Sequence, residues 1–282
     1  MIILDGKSLA ERIRAKIKTE IIELKDTTNK SPGLATILVG DDPASQIYVR
    51  IKQKACEDVG INSKVIKLPN NITSDELTKI IHQLNEDESI HGILLQLPLP
   101  PHLNANNFMS IIDVNKDVDG FHPFNSGNLL IGSSTFIPCT PKGILSLLDE
   151  YKIKIKGRDI VIINHSNILG KPLALLLLNR DATVSVCHEF TNDLIKYTRN
   201  ADIIVIGIGK PKFLKKEMIK ENATIIDVGI SRINGKIYGD VDFEDVKDKV
   251  NAITPVPGGV GPMTVASLLE NTLLAFKRSI KD

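Results

Sequence analysis

Two four-residue runs, apolar at every position, constrain this chain most. Ile160-Val161-Ile162-Ile163 and Ile203-Ile204-Val205-Ile206 show no alternation with polar residues. A strand with one wet face alternates, because successive side chains point to opposite faces. A strand apolar on both faces belongs in a parallel sheet covered by helices on each side. The remaining sequence supplies such strands and helices in turn. Strands are predicted over 34–39, 64–68, 92–97, 159–164, 183–187, 202–208 and 224–228. Helices are predicted over 8–25, 43–59, 74–85, 141–151, 170–179, 192–200 and from about 261 to 279. Leu9, Ile13, Ile17, Ile21 and Leu24 share one face of the first helix. Asp42-Pro43 reads as cap and first position of the second helix, and Gly60 as its stop. Its buried stripe is expected at Ala44, Ile47, Ile51, Ala55 and Val59. A polar stretch over 115–140 separates two halves, and 127–134 within it has no assignable pattern. The expected class is α/β, with two α/β domains around a cleft.

At 282 residues, roughly two domains fit the length. Lys and Arg number 35 against 34 Asp and Glu, so no basic excess remains to neutralise nucleic-acid phosphates. The densest basic stretch, Lys152, Lys154, Lys156 and Arg158, reads as solvated surface. The longest strictly apolar run, 173–178, is far short of the roughly 20 residues that span a bilayer. The opening Met-Ile-Ile-Leu-Asp-Gly-Lys lacks the basic and apolar regions of a signal peptide. Cys56, Cys139 and Cys187 are few, odd in number and without a Cys-x-x-Cys pair, which points to a reducing, cytoplasmic setting. Each reads as a small buried apolar side chain. No metal is expected: the stretch from Asp113 begins like a calcium loop but has Val118 at position six and Phe124 at position twelve. No His pair has zinc-site spacing, and no G-x-S-x-G occurs.

The second half carries a dinucleotide signal. Strand 159–164 runs into Asn164-His165-Ser166-Asn167-Ile168-Leu169-Gly170 and a helix. A strand, a tight turn and a helix N-terminus form an anion site from backbone N–H groups and the helix dipole. The usual fingerprint is G-x-G-x-x-G; here Asn164 and Ser166 stand at the first two glycine positions and Gly170 remains. Asn tolerates left-handed backbone and Ser offers a hydroxyl to phosphate. Gly207 and Gly209, after the third strand, and Gly229, after the fourth, are expected to let a flat ligand approach the backbone. Glu189, just past the second strand, stands where an acid commonly meets the adenosine ribose. A plain β–α turn and a surface glutamate are the competing readings of the turn and of Glu189.

In the first half, Tyr48 and Lys52 are four apart on helix 43–59 and stack on one face. Gln96 lies at the carboxyl end of strand 92–97, where open α/β sheets bind ligands, and helix 43–59 also follows such an end. All these can share one rim. The alternative for Tyr48 and Lys52 is a surface tyrosine over a lysine.

Five motifs appear in order: Tyr48-x-x-x-Lys52, Gln96-Leu97-Pro98-Leu99-Pro100, Lys116-Asp117-Val118-Asp119-Gly120, Pro138-Cys139-Thr140-Pro141, and Thr254-Pro255-Val256-Pro257-Gly258-Gly259-Val260-Gly261-Pro262-Met263-Thr264. Together they resemble the bifunctional methylenetetrahydrofolate dehydrogenase/methenyltetrahydrofolate cyclohydrolase family, in its bacterial two-activity form, over essentially the whole chain. The resemblance implies a folate-binding catalytic domain over 1–140, with a C-terminal helix at 262–282 packing back onto it. It implies a Rossmann-like NAD(P)-binding domain over 141–261. The implied chemistry is oxidation of 5,10-methylenetetrahydrofolate by NADP+, then hydrolysis of the methenyl product to 10-formyltetrahydrofolate. The first step is a positioning problem; the second needs proton transfers around a tetrahedral intermediate. Lys52 matches the family's catalytic lysine, and burial against flat rings favours the neutral amine a proton shuttle needs. Gln96 would orient Lys52, Tyr48 would stack on the folate, and Asp119 would hold the pterin's N–H donors. Pro257, Gly258 and Gly259 would bring backbone close to the folate. Asn164, His165 and Ser166 occupy the phosphate turn, and Ile230 the nicotinamide side. A homodimer is implied, with no nucleic-acid or membrane partner.

The chain departs from the family at Glu189, where many relatives carry Arg or Ser near the 2′-phosphate. An anion there repels that phosphate, so weak discrimination between NADP+ and NAD+, or preference for NAD+, is expected. A protonated His165 would offset part of the loss. Two rival readings remain. One is a dehydrogenase of another small acid, of shikimate or amino-acid type. The other is a non-catalytic folate- or dinucleotide-binding module.

Overall fold

The computed structural model describes residues 1–280. The elements in chain order begin with β1 (Ile2–Ile3), α1 (Gly6–Thr28), β2 (Gly33–Val39), α2 (Pro43–Val59) and β3 (Asn62–Leu68). Then come α3 (Ser74–Glu86), β4 (Gly92–Leu95), α4 (Ala105–Met109), α5 (Pro123–Leu130) and α6 (Cys139–Glu150). Next are β5 (Asp159–Ile163), α7 (Gly170–Leu178), β6 (Thr183–Cys187), α8 (Leu194–Thr198), β7 (Ile203–Ile206) and β8 (Thr224–Asp227). The chain closes with β9 (Ser231–Ile233), β10 (Lys236–Tyr238), α9 (Phe243–Val246), β11 (Ala252–Ile253) and α10 (Val260–Ser279). It divides into two compact units, one of Arg12–Cys139 with the chain from Val265, the other of Met1–Glu11 with Thr140–Thr264.

The unit built on Arg12–Cys139 holds a parallel sheet in the order β3-β2-β4. All seven residues of β2 are buried, so it is covered on both faces. Ala35, Ile37 and Val39 pack with Leu77, Ile81 and Leu84 of α3. Leu34, on the opposite face, packs with Ile17, Ile21, Ala55, Leu269 and Phe276 from α1, α2 and α10. Asp42 caps α2 by accepting the Ser45 N–H at 2.7 Å, and Gly60 ends it at φ +91°. The buried face of α2 differs from the expected stripe. It comprises Ser45, Val49, Ala55, Cys56 and Val59, while Ala44 and Ile51 are exposed and Ile47 is half-buried. Small Ser45 and Cys56 face the core, and a count of large apolar residues passes over both. Tyr48 and Lys52 border this face, half-buried.

The other unit is a six-stranded, wholly parallel sheet in the order β1-β11-β8-β7-β5-β6. Every residue of β7 and β8 is buried, as two-sided apolar strands require. The N-terminus joins this sheet: Ile2 pairs with Ala252 and Ile3 with Ile253. Residues 1–11 therefore group with 140–264, whereas the sequence places them at the head of the first domain. Two residues of the 262–282 segment, 281 and 282, lie outside the described residues. Helix 192–200 shortens to α8. Strands 92–97 and 202–208 also end early, at Leu95 and Ile206. Residues 231–238, unassigned from sequence, form the β9–β10 hairpin. Its Asn234 and Gly235 both have positive φ, as a type I′ turn needs. Part of the unassigned 127–134 is helical in α5. Among the described residues no helix is long and apolar enough to cross a membrane.

Phe276 is fully buried, with its ring edge-on to His91 at 4.8 Å between centroids. Phe276→Ala is expected to cost about 3–5 kcal/mol in denaturant unfolding, the usual range for an emptied aromatic core position.

Candidate active site

Lys52 Nζ donates to Gln96 Oε1 at 3.0 Å, which joins α2 to the residue after β4. The Gln96 amide donates from Nε2 to the Leu97 carbonyl at 2.7 Å. That second bond fixes which end of the amide faces Lys52, namely the oxygen. The Gln96 backbone N–H donates to Ile37 O at 2.9 Å, so the side chain starts from a fixed point on the sheet.

Lys116-Asp117-Val118-Asp119 lies beside β4 through a parallel bridge between Ile93 and Asp117. The chain from Asp117 to Asp119 therefore runs toward the same carboxyl end as Gln96. The three charged residues have different tasks. Lys116 Nζ donates to the carbonyls of Leu84, Asn85 and Asp87 and closes the C-terminus of α3. Buried Asp117 accepts from the Phe121 and His122 N–H groups and from Asn125 Nδ2, which stitches the following loop. The third, Asp119, lies within electrostatic reach of Lys52. Burial raises its carboxyl above the usual range, and the Lys52 charge opposes that shift. The Cys139 thiol donates to Asp119 Oδ1 at 3.4 Å. Asn271, from α10, donates to the carbonyls of Val118 and Ile137 at 2.8 and 2.9 Å. It holds both chain segments around Asp119, and a polar residue within the apolar α10 pattern was the available signal for it. The three cysteines are buried and form no disulfide, and burial pushes the Cys56 thiol up to about 12.

In the other unit, β5 leads through 164–169 into α7. Asn164 takes over the turn. Its Oδ1 accepts from the Ser166 N–H (2.9 Å), the Ser166 hydroxyl (2.7 Å) and the Gly170 N–H (3.1 Å). One side-chain oxygen thus folds a turn that glycines usually make. Gly170 is obligatory, because a Cβ there would lie 1.9 Å from the Asn164 carbonyl oxygen. His165 Nδ1 lies 3.8 Å from Glu189 Oε2, and its ring packs on His188 at 4.8 Å between centroids. The strand-end glycines separate by role. Gly209, at φ +68°, faces open space, as a close-approaching ligand needs. The spaces beside Gly207 and Gly229 are instead filled by Leu169 and Val228 and by the Asp240 carboxyl. Ile230 is 43% exposed.

The 254–264 segment is held from the N-terminus. Lys7 N–H donates to Gly258 O at 2.8 Å, and a Cβ on Gly6 would strike Gly259 O. Gly258 sits at φ +112°, outside the range of other residues. Pro257 is exposed at this bend. Thr254, buried, accepts the Asp227 N–H at 2.7 Å.

A six-stranded parallel sheet with a β–α anion turn and an open glycine at a strand end defines a Rossmann-like dinucleotide-binding protein. Comparison with known proteins extends this to both units. Residues 138–280 match the model of the tetrahydrofolate dehydrogenase/cyclohydrolase NAD(P)-binding domain, and 4–119 that of the catalytic domain. A bifunctional protein FolD from a Nitratiruptor species is 53% identical over 278 residues, 99% of each chain. The crystal structure of the bifunctional FolD methylenetetrahydrofolate dehydrogenase/cyclohydrolase from Campylobacter jejuni is similar at TM-score 0.96 and 52% identity, covering 99% of each chain. The Trypanosoma brucei enzyme, complexed with NADP cofactor and an inhibitor, is similar at TM-score 0.96 and 38% identity, covering 100% of this chain and 99% of that one. The chain belongs to the tetrahydrofolate dehydrogenase/cyclohydrolase family.

Asp227 supplies a pH test of the dinucleotide unit. Burial raises its carboxyl from 3.8 to about 6 despite three accepted backbone N–H bonds. The folded state therefore binds this proton more tightly than the unfolded chain. The resulting stabilisation is complete below about pH 4 and is lost as pH rises through about 6. Asp227→Asn should remove about 2–3 kcal/mol of this pH-dependent difference, seen as flattening of unfolding free energy between pH 4 and 7.

Proposed function

We propose that the protein oxidises 5,10-methylenetetrahydrofolate to 5,10-methenyltetrahydrofolate with NADP+ and hydrolyses the product to 10-formyltetrahydrofolate. The observation that carries this is the Lys52–Gln96 hydrogen bond, with Asp119 within electrostatic reach of Lys52, all within the catalytic-domain match. Tyr48 stacks on the folate, one turn before Lys52. Asp119 accepts from the pterin's N–H donors, and Pro257, Gly258 and Gly259 present backbone to folate.

The residues of the 164–170 turn fit a dinucleotide, because Asn164 shapes the turn at a helix N-terminus and Gly209 leaves open space. Asn164, His165 and Ser166 hold the phosphate side. Gly209 and Ile230 lie toward the nicotinamide and Glu189 toward the adenosine ribose, while Gly207 contributes through its carbonyl, which anchors Asn164. When bound, the cofactor accepts a hydride from the folate's one-carbon centre.

Hydrolysis is the work of the chain itself. Water adds to the methenyl carbon and gives a proton to the Lys52 amine. The carbinol then loses its proton as the carbon–N5 bond breaks, and the Lys52 ammonium returns a proton to N5. One water is consumed and one proton released. Gln96 Oε1 holds the amine between these two tasks. The protein works in the cytoplasm as a homodimer. Its sparse, odd set of cysteines supports the first point, and the edge strand β6 with exposed Val186 and Phe190 beyond it supports the second.

Steady-state assays with methylenetetrahydrofolate, run separately with NADP+ and NAD+, test the reading; reduction of neither cofactor would sink it. Lys52→Met is expected to slow methenyltetrahydrofolate hydrolysis about 10²–10⁴-fold, the usual worth of a positioned acid–base group. Unchanged hydrolysis would remove Lys52 from the mechanism. Glu189 sits beside His165, where its charge opposes a 2′-phosphate. Glu189→Arg should raise the NADP+/NAD+ ratio of kcat/KM about tenfold or more, equivalent to about 1.4 kcal/mol.

A further inference from the structure

Asp240 is fully buried in the dinucleotide unit, between β10 and α9. Its Oδ2 accepts two consecutive backbone N–H groups, from Ile208 at 2.6 Å and Gly209 at 2.9 Å. Its Oδ1 is buried without a hydrogen-bond partner. An orphaned buried oxygen is costly, and a side chain with a single acceptor would avoid it. The fold makes deliberate room for this carboxyl. A Cβ on Gly229 would lie 2.2 Å from Asp240 Cγ. The neighbouring acid is housed in the same way: a Cβ on Gly239 would lie 1.9 Å from Asp227 Oδ2. Each aspartate occupies the space left by a glycine one or two positions from the other in sequence. Asp227 Oδ1 in turn accepts the Asp240 N–H at 3.0 Å, which fixes the Asp240 backbone.

The peptide held by Asp240 leads to the phosphate turn. The Ile208 N–H and the Gly207 carbonyl belong to one planar peptide unit. The N–H end is on Asp240, and the carbonyl end accepts from Asn164 Nδ2 at 2.6 Å. Asn164 Oδ1 then gathers Ser166 and Gly170. The hydrogen bonds all run in one sense, from the turn through Asn164 and the 207–208 peptide to Asp240. Donors and acceptors aligned this way polarise one another.

We propose that Asp240 is a positioning residue for the dinucleotide, acting through the 207–208 peptide and the Asn164 amide to set the 164–170 turn. It touches no substrate; it determines how firmly Asn164 holds the turn. This rests on the dinucleotide function proposed above for the same unit. Asn164 needs its amide nitrogen anchored before its oxygen can gather three donors. The anchor is a carbonyl whose peptide plane Asp240 holds.

The test is NADP+ affinity by titration calorimetry, with methenyltetrahydrofolate hydrolysis measured in the absence of dinucleotide. Asp240→Ala is expected to weaken NADP+ binding about tenfold, the usual worth of a lost buried hydrogen-bond anchor, and to leave hydrolysis within about twofold. Asp240→Asn keeps a carbonyl acceptor for the two N–H groups and should recover most of the affinity. Asn164→Gly restores the usual fingerprint glycine and cuts the relay at its other end. Combined with Asp240→Ala, its effect on NADP+ affinity should fall well short of additive. Unchanged NADP+ affinity in Asp240→Ala, equal loss of affinity and hydrolysis, no rescue by Asp240→Asn, or additivity with Asn164→Gly would each overturn the proposal. Wild-type protein that binds no NADP+ would instead overturn the dinucleotide reading itself.

Discussion

The inner strands of a parallel sheet must be covered on both faces, and this requirement organises both units. Such strands leave no wet side, so their connections run as helices over the top and bottom. The chain therefore turns at the carboxyl ends of the strands, where it carries its polar side chains. Gln96 follows β4 and Asn164 follows β5. The buried apolar runs and the polar rim are two outcomes of one topology.

At these rims, the structure spends side-chain amides where backbone alone would serve poorly. The Gln96 amide is fixed at both ends, so its oxygen meets Lys52. The Asn164 amide is likewise fixed at both ends, so its oxygen meets the turn. Asn271 places both amide hydrogens on carbonyls flanking Asp119. An amide carries donors and an acceptor on one rigid plane. Bound at one end, it delivers a defined atom at the other without adding charge to a buried site.

Element order and the two-unit α/β class were legible because two-sided apolar runs and helical periodicity are local signals. The caps of α2 were legible for the same reason, since Asp42-Pro43 and Gly60 act within one turn. The Lys52–Gln96 pairing was foreseen from the family's motifs, with strand-end placement in support. What escaped was non-local. The inward face of α2 depends on Ser45 and Cys56 fitting close to the sheet, and small side chains leave little mark on a hydrophobic pattern. The strand at 2–3 is too short to show a period and is defined by its partner at 252–253. Gly207 and Gly229 read as openings for a ligand, but their neighbours, Leu169 and Asp240, are distant in sequence. Asn164 stands at a fingerprint glycine position, and only its hydrogen bonds reveal that its side chain folds the turn.

The pairing of β1 with β11 also bears on how the chain is made. Ile2 and Ile3 emerge from the ribosome almost a chain length ahead of Ala252 and Ile253, against which they lie. The Gly258 carbonyl that receives Lys7 N–H arrives later still. The N-terminal segment must therefore wait unpaired through most of synthesis. Because β11 pairs with β8 on its other side, β1 reaches the rest of the sheet only through β11.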